Sequence, residues 1–254
     1  MAYTIDLTEI TVLVTGASRG IGRAIAKTLA EAGAQVAVHF CKNRDLAEAL
    51  VNEIGENARA FQADLGEMNE VKSLFDEVLT YFGKLDVLVN NAGIAVPVSP
   101  NIEDGNWLDA WDTTMDVNLK AAALLSKLSL KQMVNCGEGR LIHIASRAAF
   151  RGDTAEYIAY AASKGGLIAM HRSIARFYGK QGIKSFAIAP GFTHTDMAQQ
   201  FIDDYGEDWA THDLALSTLT KPEDIAPTVL MLASGLMDHA TGSVIDINAG
   251  SYIR

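Results

Sequence analysis

The sequence predicts a doubly wound α/β fold, in which one parallel sheet of about seven strands is flanked by helices. Two observations predict it. Short β-branched runs alternate with longer amphipathic stretches along most of the chain. The strand-like runs are also continuously apolar, as in Val12–Val14 and Val87–Val89, which indicates strands covered on both faces. The predicted strands are Ile10–Thr15, Gln35–Phe40, Ala58–Gln62, Asp86–Asn90, Arg140–Ala145, Ile183–Ala189 and Ser243–Ile247.

Amphipathic stretches between these runs predict the helices, and no repeat or linker-like segment interrupts the pattern. Residues 1–254 are therefore expected to form a single domain. One exception is the polar, weakly patterned segment of about residues 193–220, whose length is typical of a substrate lid or binding loop. The predicted helices are Gly22–Ala32, Arg44–Ile54, Met68–Phe82, Leu108–Val134, Tyr157–Gly179 and Pro222–Ala233.

The composition argues against several classes of function. A formal net charge of -10 disfavours nucleic acid and anionic membrane surfaces as partners. The cysteines, Cys41 and Cys136, have neither metal-ligand spacing nor a neighbouring histidine cluster, so we expect reduced thiols and no metal site. The first residues lack a basic region followed by an apolar run, and no apolar stretch approaches the length of a membrane span. We therefore expect a cytoplasmic protein with no membrane partner.

A glycine-rich turn, Thr15–Gly22, follows the first predicted strand and opens the first predicted helix. Gly16 permits a tight turn, Gly20 lets the backbone approach a pyrophosphate, and Gly22 lets the helix pack closely on the strand. The helix N-terminus offers N–H groups and partial positive charge to phosphates. In this position the turn predicts dinucleotide binding, whereas in isolation it would indicate only a tight connection.

The end of the second predicted strand bears on the choice between NAD and NADP. A carboxylate there would bind the adenosine ribose and repel a 2′-phosphate. The strand is instead followed by Cys41, Lys42 and Asn43. Arg19 and Lys42 are placed to flank a 2′-phosphate, so NADP(H) is favoured. NAD(H) stays as the alternative, because Lys42 and Arg44 are equally suited to solvating the start of a helix.

Short motifs in a fixed order resemble those of the short-chain dehydrogenase/reductase family. The resemblance covers nearly the whole chain and implies a Rossmann-like fold that binds NAD(P)(H). The segments Thr195–Met197 and Lys221–Ala226 are similar to the family's 3-oxoacyl-carrier-protein reductase branch. The matching motifs are Thr15–Gly22, Ala63–Leu65, Asn90–Gly93, Asn118, Ser146, Tyr160–Lys164, Pro190–Thr195 and Asp246–Gly250.

The resemblance implies a role for each motif. It makes Ser146, Tyr160 and Lys164 catalytic, and it gives Asn118 the task of holding a water that connects Lys164 with solvent. The cofactor would lie along the glycine-rich turn, the residues after the third and fourth strands, and the Pro190–Thr195 motif. The expected cofactor-binding residues are Gly16, Ser18, Arg19, Gly20, Ile21, Gly22, Lys42, Asp64, Leu65, Asn91, Ala92, Gly93, Tyr160, Lys164, Pro190, Gly191, Thr193 and Thr195.

Tyr160 and Lys164 are four residues apart on a predicted helix, which places both side chains on one face. Carbonyl reduction needs a proton at the oxygen while hydride reaches the carbon. A phenol with an ordinary pKa of about 10 is a slow acid or base at neutral pH. We expect the Lys164 ammonium to lower the pKa of Tyr160, and Ser146 to donate to the same substrate oxygen.

The substrate pocket is expected between Ile94–Val98, Arg147–Tyr157 and the lid at residues 193–220. Its mixed polarity suits a medium-sized ketone. Ser146 and Tyr160 are one position further apart than the family commonly has them, which leaves the pocket's shape open. The side chains expected to line the pocket are Phe150, Arg151, Asp153, Glu156, Tyr157, Phe192, His194, Met197 and Trp209.

These features predict an NADP(H)-dependent oxidoreductase that reduces a 3-oxoacyl thioester or another carbonyl compound to a secondary alcohol. A dehydrogenase of a polyol, sugar or other secondary alcohol is the alternative, because the acidic surroundings suit an acidic carrier protein poorly. A non-catalytic NADP(H) sensor would not need Ser146, Tyr160 and Lys164. The apolar stripes of Leu108–Val134 and Tyr157–Gly179, with the family resemblance, favour a homo-oligomer, either a dimer or a tetramer.

Overall fold

The computed structural model describes residues 4–195, 198, 202, 206 and 211–254. These residues contain one sheet of seven strands, as the sequence predicts. Five of the strands are mostly or fully buried, whereas the third strand is buried only at Ala58 and Phe61 and the last is half-buried. The strands are β1 Thr11–Val14, β2 Gln35–Phe40, β3 Ala58–Gln62, β4 Val87–Asn90, β5 Gly139–Ile144, β6 Ile183–Pro190 and β7 Val244–Ile247.

The strand order is β3-β2-β1-β4-β5-β6-β7, and every neighbouring pair is parallel. The order of the strands reverses between β1 and β4, so the loops that follow these two strands diverge and leave a crevice at their carboxyl ends. Helices cover both faces of the sheet. The helices are α1 Gly20–Glu31, α2 Arg44–Ile54, α3 Met68–Phe82, α4 Asp104–Met115, α5 Ala121–Cys136, α6 Ala148–Arg151, α7 Ile158–Tyr178 and α8 Pro222–Ala233.

Alternate side chains of the strands form two cores. Val12 and Val14 point to the face covered by α1, α2 and α8, whereas Leu13 and Leu88 point to the face covered by α3, α5 and α7. Within the described ranges, no helix has the length and apolar character needed to cross a membrane.

The helix predicted over Leu108–Val134 is wrong in one respect. A turn of π-helix, Asp116–Lys120, separates α4 from α5, and Asn118 lies within it. A π-helical turn accommodates an extra residue and is often found at functional sites. Apolar periodicity does not register such a local insertion, so the sequence reads as one helix.

The first and last residues of the predicted lid lie next to each other. Thr193 and Thr220 form a parallel bridge, and the His194 N–H donates to the Thr220 carbonyl oxygen at 2.8 Å. The two ends of the predicted lid segment are therefore hydrogen-bonded neighbours. Met197 and Trp209, which were expected to line the pocket, lie outside the described residues.

Candidate active site

One cavity of about 830 Å³ occupies the crevice at the carboxyl ends of the central strands. Every residue predicted to bind cofactor lines it, and so do Ser146, Tyr160 and Lys164. Asn118 is absent from the lining, although it contacts the loop beside the cavity. The topology explains the convergence, because each of these residues follows a parallel strand or begins the next helix.

The turn after β1 is shaped closely around its glycines. Gly16 has a φ of +64°, a conformation that L side chains rarely adopt. A Cβ added at Gly22 would lie 2.5 Å from Asn91 Nδ2 and would also collide with the Gly16 carbonyl oxygen. Asn91 Nδ2 in turn donates to the Thr15 carbonyl oxygen at 2.8 Å. The turn after β1 and the loop after β4 therefore form one rigid cradle.

The N-terminus of α1 opens into this cradle. The first N–H groups of an α-helix have no intrahelical acceptor, and Gly20, Ile21 and Gly22 of the first turn line the cavity. The first turn contains no acidic side chain. Arg19 and Lys42 line the same cavity. The donors, the positive helix end and the two cations fit the phosphates of a dinucleotide.

His39 is a part of the cradle that the sequence analysis missed. It lies near the end of β2, is 2% exposed and lines the cavity. Its ring connects the backbone of Gly16 to that of Ala63, which precedes Asp64. Its own carbonyl oxygen accepts the Ala17 N–H at 2.8 Å. The available signal was a titratable residue within an otherwise apolar strand.

Asn118 holds the loop that follows β4. Its Oδ1 accepts the Ile94 N–H at 2.8 Å, and its Nδ2 donates to the Ile94 carbonyl oxygen at 2.9 Å. Nδ2 also donates to Ser163 Oγ at 3.0 Å. The amide side chain therefore joins the π-helical turn, α7 and the residue that follows Gly93.

Ser146 and Tyr160 meet because Ser146 comes two residues after β5 and Tyr160 lies in the first turn of α7. Ser146 Oγ accepts the Ala148 N–H at 3.1 Å, which leaves its proton available to another acceptor. Burial raises the pKa of Tyr160, its hydrogen bond with Ser146 lowers that pKa, and the charge of Asp153 raises it. The net pKa of Tyr160 is therefore raised, and the expected net lowering is wrong for the protein's own groups, because desolvation outweighs the groups that stabilise the phenolate.

Lys164 is fixed beside Tyr160. Its Nζ donates to the Ile144 carbonyl oxygen at 2.9 Å and lies 5.7 Å from the centre of the Tyr160 ring. Burial lowers the pKa of Lys164 to about 8. A Cβ added at Gly93 would lie 3.1 Å from Nζ, so the loop after β4 passes directly over the ammonium. An ammonium has three donors, and the bond to Ile144 uses one of them.

The predicted pocket wall is partly correct. The expectation for Phe150 is wrong, because its ring packs under the Arg254 guanidinium, 3.9 Å from the ring centre. Glu156 and His194 also lie outside the cavity lining. Glu156 accepts a hydrogen bond from the Thr154 hydroxyl, and the His194 N–H donates to the Thr220 carbonyl oxygen. The residues of the predicted wall that do line the cavity are Ile94, Ala95, Arg147, Ala148, Arg151, Asp153, Tyr157, Phe192, Thr193, Thr195 and Ala198.

A dinucleotide cradle that shares one cavity with a serine, a tyrosine and a lysine defines a nicotinamide-dependent oxidoreductase. The family model described as enoyl-(acyl carrier protein) reductase matches residues 16–251. The chain belongs to the short-chain dehydrogenase/reductase family. It is therefore an oxidoreductase that acts on CH–OH or C=O groups.

Named relatives include both reductases and dehydrogenases. The chain is 39% identical over 244 residues to the 3-oxoacyl-(acyl-carrier-protein) reductase FabG of Staphylococcus aureus, covering 95% of this chain and 97% of the relative. A Beutenbergia cavernae structure assigned as an NAD(P)-dependent gluconate 5-dehydrogenase, with bound NADP, has a TM-score of 0.90 and 32% identity, covering 98% of this chain and 99% of its own. A short-chain dehydrogenase of Burkholderia cenocepacia in complex with NADP has a TM-score of 0.89 and 36% identity. The match covers 96% of this chain and 98% of the Burkholderia chain.

Proposed function

We propose that the protein reduces a ketone to a secondary alcohol with NADPH. The observation that carries this proposal is the convergence of Ser146, Tyr160 and Lys164 in the cavity that also contains the dinucleotide cradle. The similarity to 3-oxoacyl-(acyl-carrier-protein) reductases supports reduction as the direction of the reaction. A 3-oxoacyl thioester and a smaller free ketone are both compatible with this chemistry.

NADP(H) is the cofactor that the cradle suits better. Arg19 and Lys42 line the cavity where a 2′-phosphate would be neutralised, and the NADP complexes of two related structures support the choice. Arg44 has other partners, since it donates to Gln62 Oε1 at 2.6 Å and pairs with Glu48 at 3.3 Å. When bound, the reduced nicotinamide supplies a hydride to the substrate carbon.

The protein's own groups supply the proton. Tyr160 has a raised pKa and is a phenol at neutral pH, so it gives its proton to the carbonyl oxygen as negative charge develops there. Ser146 donates a second hydrogen bond to the same oxygen, an interaction worth about 2.7–4 kcal/mol in comparable sites. Lys164, as an ammonium, stabilises the phenolate that remains. Asn118 positions the loop over Lys164 rather than contacting the substrate.

Oxidation of a polyol, sugar or sugar acid is the second candidate. The Beutenbergia cavernae structure assigned as a gluconate 5-dehydrogenase favours it. Arg151 and Asp153 also add polar groups to the cavity wall. The same proton path serves this reaction in reverse, with Tyr160 accepting the proton from the alcohol.

A direct assay tests the proposed function. Purified protein is mixed with NADPH and a panel of ketones, β-keto esters and 3-oxoacyl thioesters, and the loss of nicotinamide absorbance is followed. We expect oxidation of NADPH in step with formation of the alcohol. Tight NADPH binding without turnover of any carbonyl compound would instead support the non-catalytic sensor.

Three further expectations belong to this proposal. Residues 193–220 act as the lid of a single catalytic domain, because their ends are joined at Thr193 and Thr220. The protein functions in the cytoplasm and forms a dimer or tetramer. Leu108 and Phe177 are 51% and 71% exposed on helices α4 and α7, which supports association. A monomeric sedimentation profile at micromolar concentration would contradict the expected dimer or tetramer.

A further inference from the structure

Two arginines beside Ser146 bind one carboxylate oxygen. NH1 of Arg147 donates to Asp213 Oδ2 at 2.8 Å, and NH1 of Arg151 donates to the same oxygen at 2.8 Å. Arg147 directly follows Ser146, whereas Asp213 comes from the returning end of the lid. The pair of guanidinium groups is thus held at the wall of the reaction cavity, which both arginines line.

Arg147 is unusual because it is buried while most of its donors are unused. Its side chain is 10% exposed, and a guanidinium has five N–H donors in a rigid fork. Within the part of the chain that the structure describes, NH1 to Asp213 is the one side-chain hydrogen bond that Arg147 makes. Nε and NH2 of Arg147 are not among the fully buried unpaired polar atoms of the described residues, so they reach solvent, and a ligand in the cavity that Arg147 lines can provide an acceptor.

The direct ion pairs also leave room for an anion. One carboxylate, Asp213, serves two guanidinium groups. Burial lowers the pKa of Arg147 and the charge of Arg151 lowers it further, whereas Asp213 and Asp153 raise it. Asp153 is not paired with either arginine within 4 Å in the described chain, and its Oδ1 accepts the Thr154 N–H at 2.9 Å. Burial raises the pKa of Asp153, whereas the charges of Arg151 and Arg147 lower it.

We propose that the substrate carries a carboxylate, which Arg147 and Arg151 bind while Ser146 and Tyr160 hold its carbonyl oxygen. The substrate class is therefore an oxo acid, or the corresponding hydroxy acid in the reverse direction. This inference rests on the proposed function, because it assigns the substrate of the same cavity. A planar guanidinium binds a carboxylate through two parallel hydrogen bonds, so the arginines fix orientation as well as charge.

The proposal separates this protein from a carrier-protein reductase. A thioester bound to a carrier has no free carboxylate beside its ketone, so it would offer no anionic partner to the donors of Arg147 that Asp213 does not use. An oxo acid provides an acceptor for the arginine donors and places a ketone near Tyr160. The assay determines how many carbons separate the carboxylate from the ketone. Binding energy from the carboxylate would then be used to orient the reacting carbonyl group.

The experiment compares 2-, 3-, 4- and 5-oxo acids with their methyl esters as substrates, using NADPH. The readout is the ratio of kcat/KM for each acid to that for its ester. We expect at least about a tenfold preference for the acid at the best chain length, and its loss in Arg147→Gln, since a hydrogen bond to a charged group contributes about 10- to 100-fold. Arg176→Gln is the matched control, because Arg176 is exposed on α7 and its substitution removes the same charge.

Equal turnover of acids and esters, or an acid preference that survives Arg147→Gln, would overturn the proposal. If Arg147→Gln does not fold, the more exposed Arg151→Gln is measured with the same ratio. If the wild type reduces neither series, the proposed function fails. Calorimetric titration of the wild type with hexanoate and hexanamide then still decides the inference: preferential binding of hexanoate supports it, and equal affinity overturns it.

Discussion

The backbone N–H of Gly16 donates to Nδ1 of His39 at 2.9 Å. Because Nδ1 accepts, the proton of the neutral ring is assigned to Nε2, which donates to the Ala63 carbonyl oxygen at 3.1 Å. Burial lowers the pKa of His39 to about 4, so the ring stays neutral at physiological pH. One imidazole therefore fixes the turn that we propose receives the pyrophosphate.

Replacing His39 tests this link. His39→Leu removes the acceptor and leaves the Gly16 N–H unpaired, at a cost of about 1–3 kcal/mol. We expect the Kd for NADPH, measured by fluorescence titration, to rise about tenfold or more. His39→Asn offers an amide oxygen near the position of Nδ1 and should bind more tightly than His39→Leu. Wild-type affinity in His39→Leu would show that the turn does not depend on the imidazole.

We expect the cofactor preference to depend on Lys42 more than on Arg44. Lys42 lines the cavity, whereas Arg44 is engaged with Gln62 and Glu48. Lys42→Gln should reduce the ratio of kcat/KM for NADPH to that for NADH by about tenfold, because it removes one cation from the 2′-phosphate. Arg44→Gln is the matched control and should change this ratio much less. The opposite ranking would contradict the placement of the 2′-phosphate.

The sheet was predictable because parallel strands are continuous apolar runs, and five of the six predicted helices match the observed helices to within two residues at each end. The order of motifs likewise placed Gly16, Ser146 and Tyr160 at one end of the sheet. The π-helical turn at Asn118 was not predictable, because one inserted residue barely changes the periodicity. The direction of the Tyr160 pKa also required the structure, since burial depends on packing.

The pH dependence of ketone reduction should report on Lys164. Burial lowers its pKa to about 8, so the ammonium is present below that pH and is lost as the pH rises through about 8. We expect kcat for reduction to be nearly constant from about pH 6 to 7 and to fall above about pH 8, where the phenolate left on Tyr160 loses its neighbouring cation. In Lys164→Arg the guanidinium keeps its charge at alkaline pH. The residual reductase activity of this variant should therefore not fall above about pH 8. The same fall in Lys164→Arg would assign the titration to another group.

Stability should decrease in acid because three histidines are buried as neutral rings. Burial lowers the pKa of His39 to about 4, of His143 to about 3 and of His171 to about 4. The unfolded chain, with histidine pKa values of about 6.5, binds protons first as the pH falls. Each neutral ring therefore contributes stability that is complete above about pH 6.5 and is lost toward about pH 4, at up to about 1.4 kcal/mol per pH unit.

Urea unfolding at about pH 7, 6 and 5 measures this dependence. Between pH 6.5 and 5, the free energy of unfolding should decrease less in His171→Leu than in the wild type. The difference in slope should be up to about 1.4 kcal/mol per pH unit. The control His239→Leu alters an exposed ring and should keep the wild-type slope. An unchanged slope in His171→Leu would show that this ring does not titrate upon unfolding.

Tyr160 is proposed to transfer the proton to the substrate oxygen beside the bound nicotinamide. A single-turnover measurement of NADPH oxidation by wild type and Tyr160→Phe, with a ketone that the wild type reduces, tests it most directly. At saturating NADPH, we expect a rate at least about 10²-fold lower in Tyr160→Phe, the lower range for general acid catalysis. Hydride transfer within about threefold of the wild-type rate would contradict it.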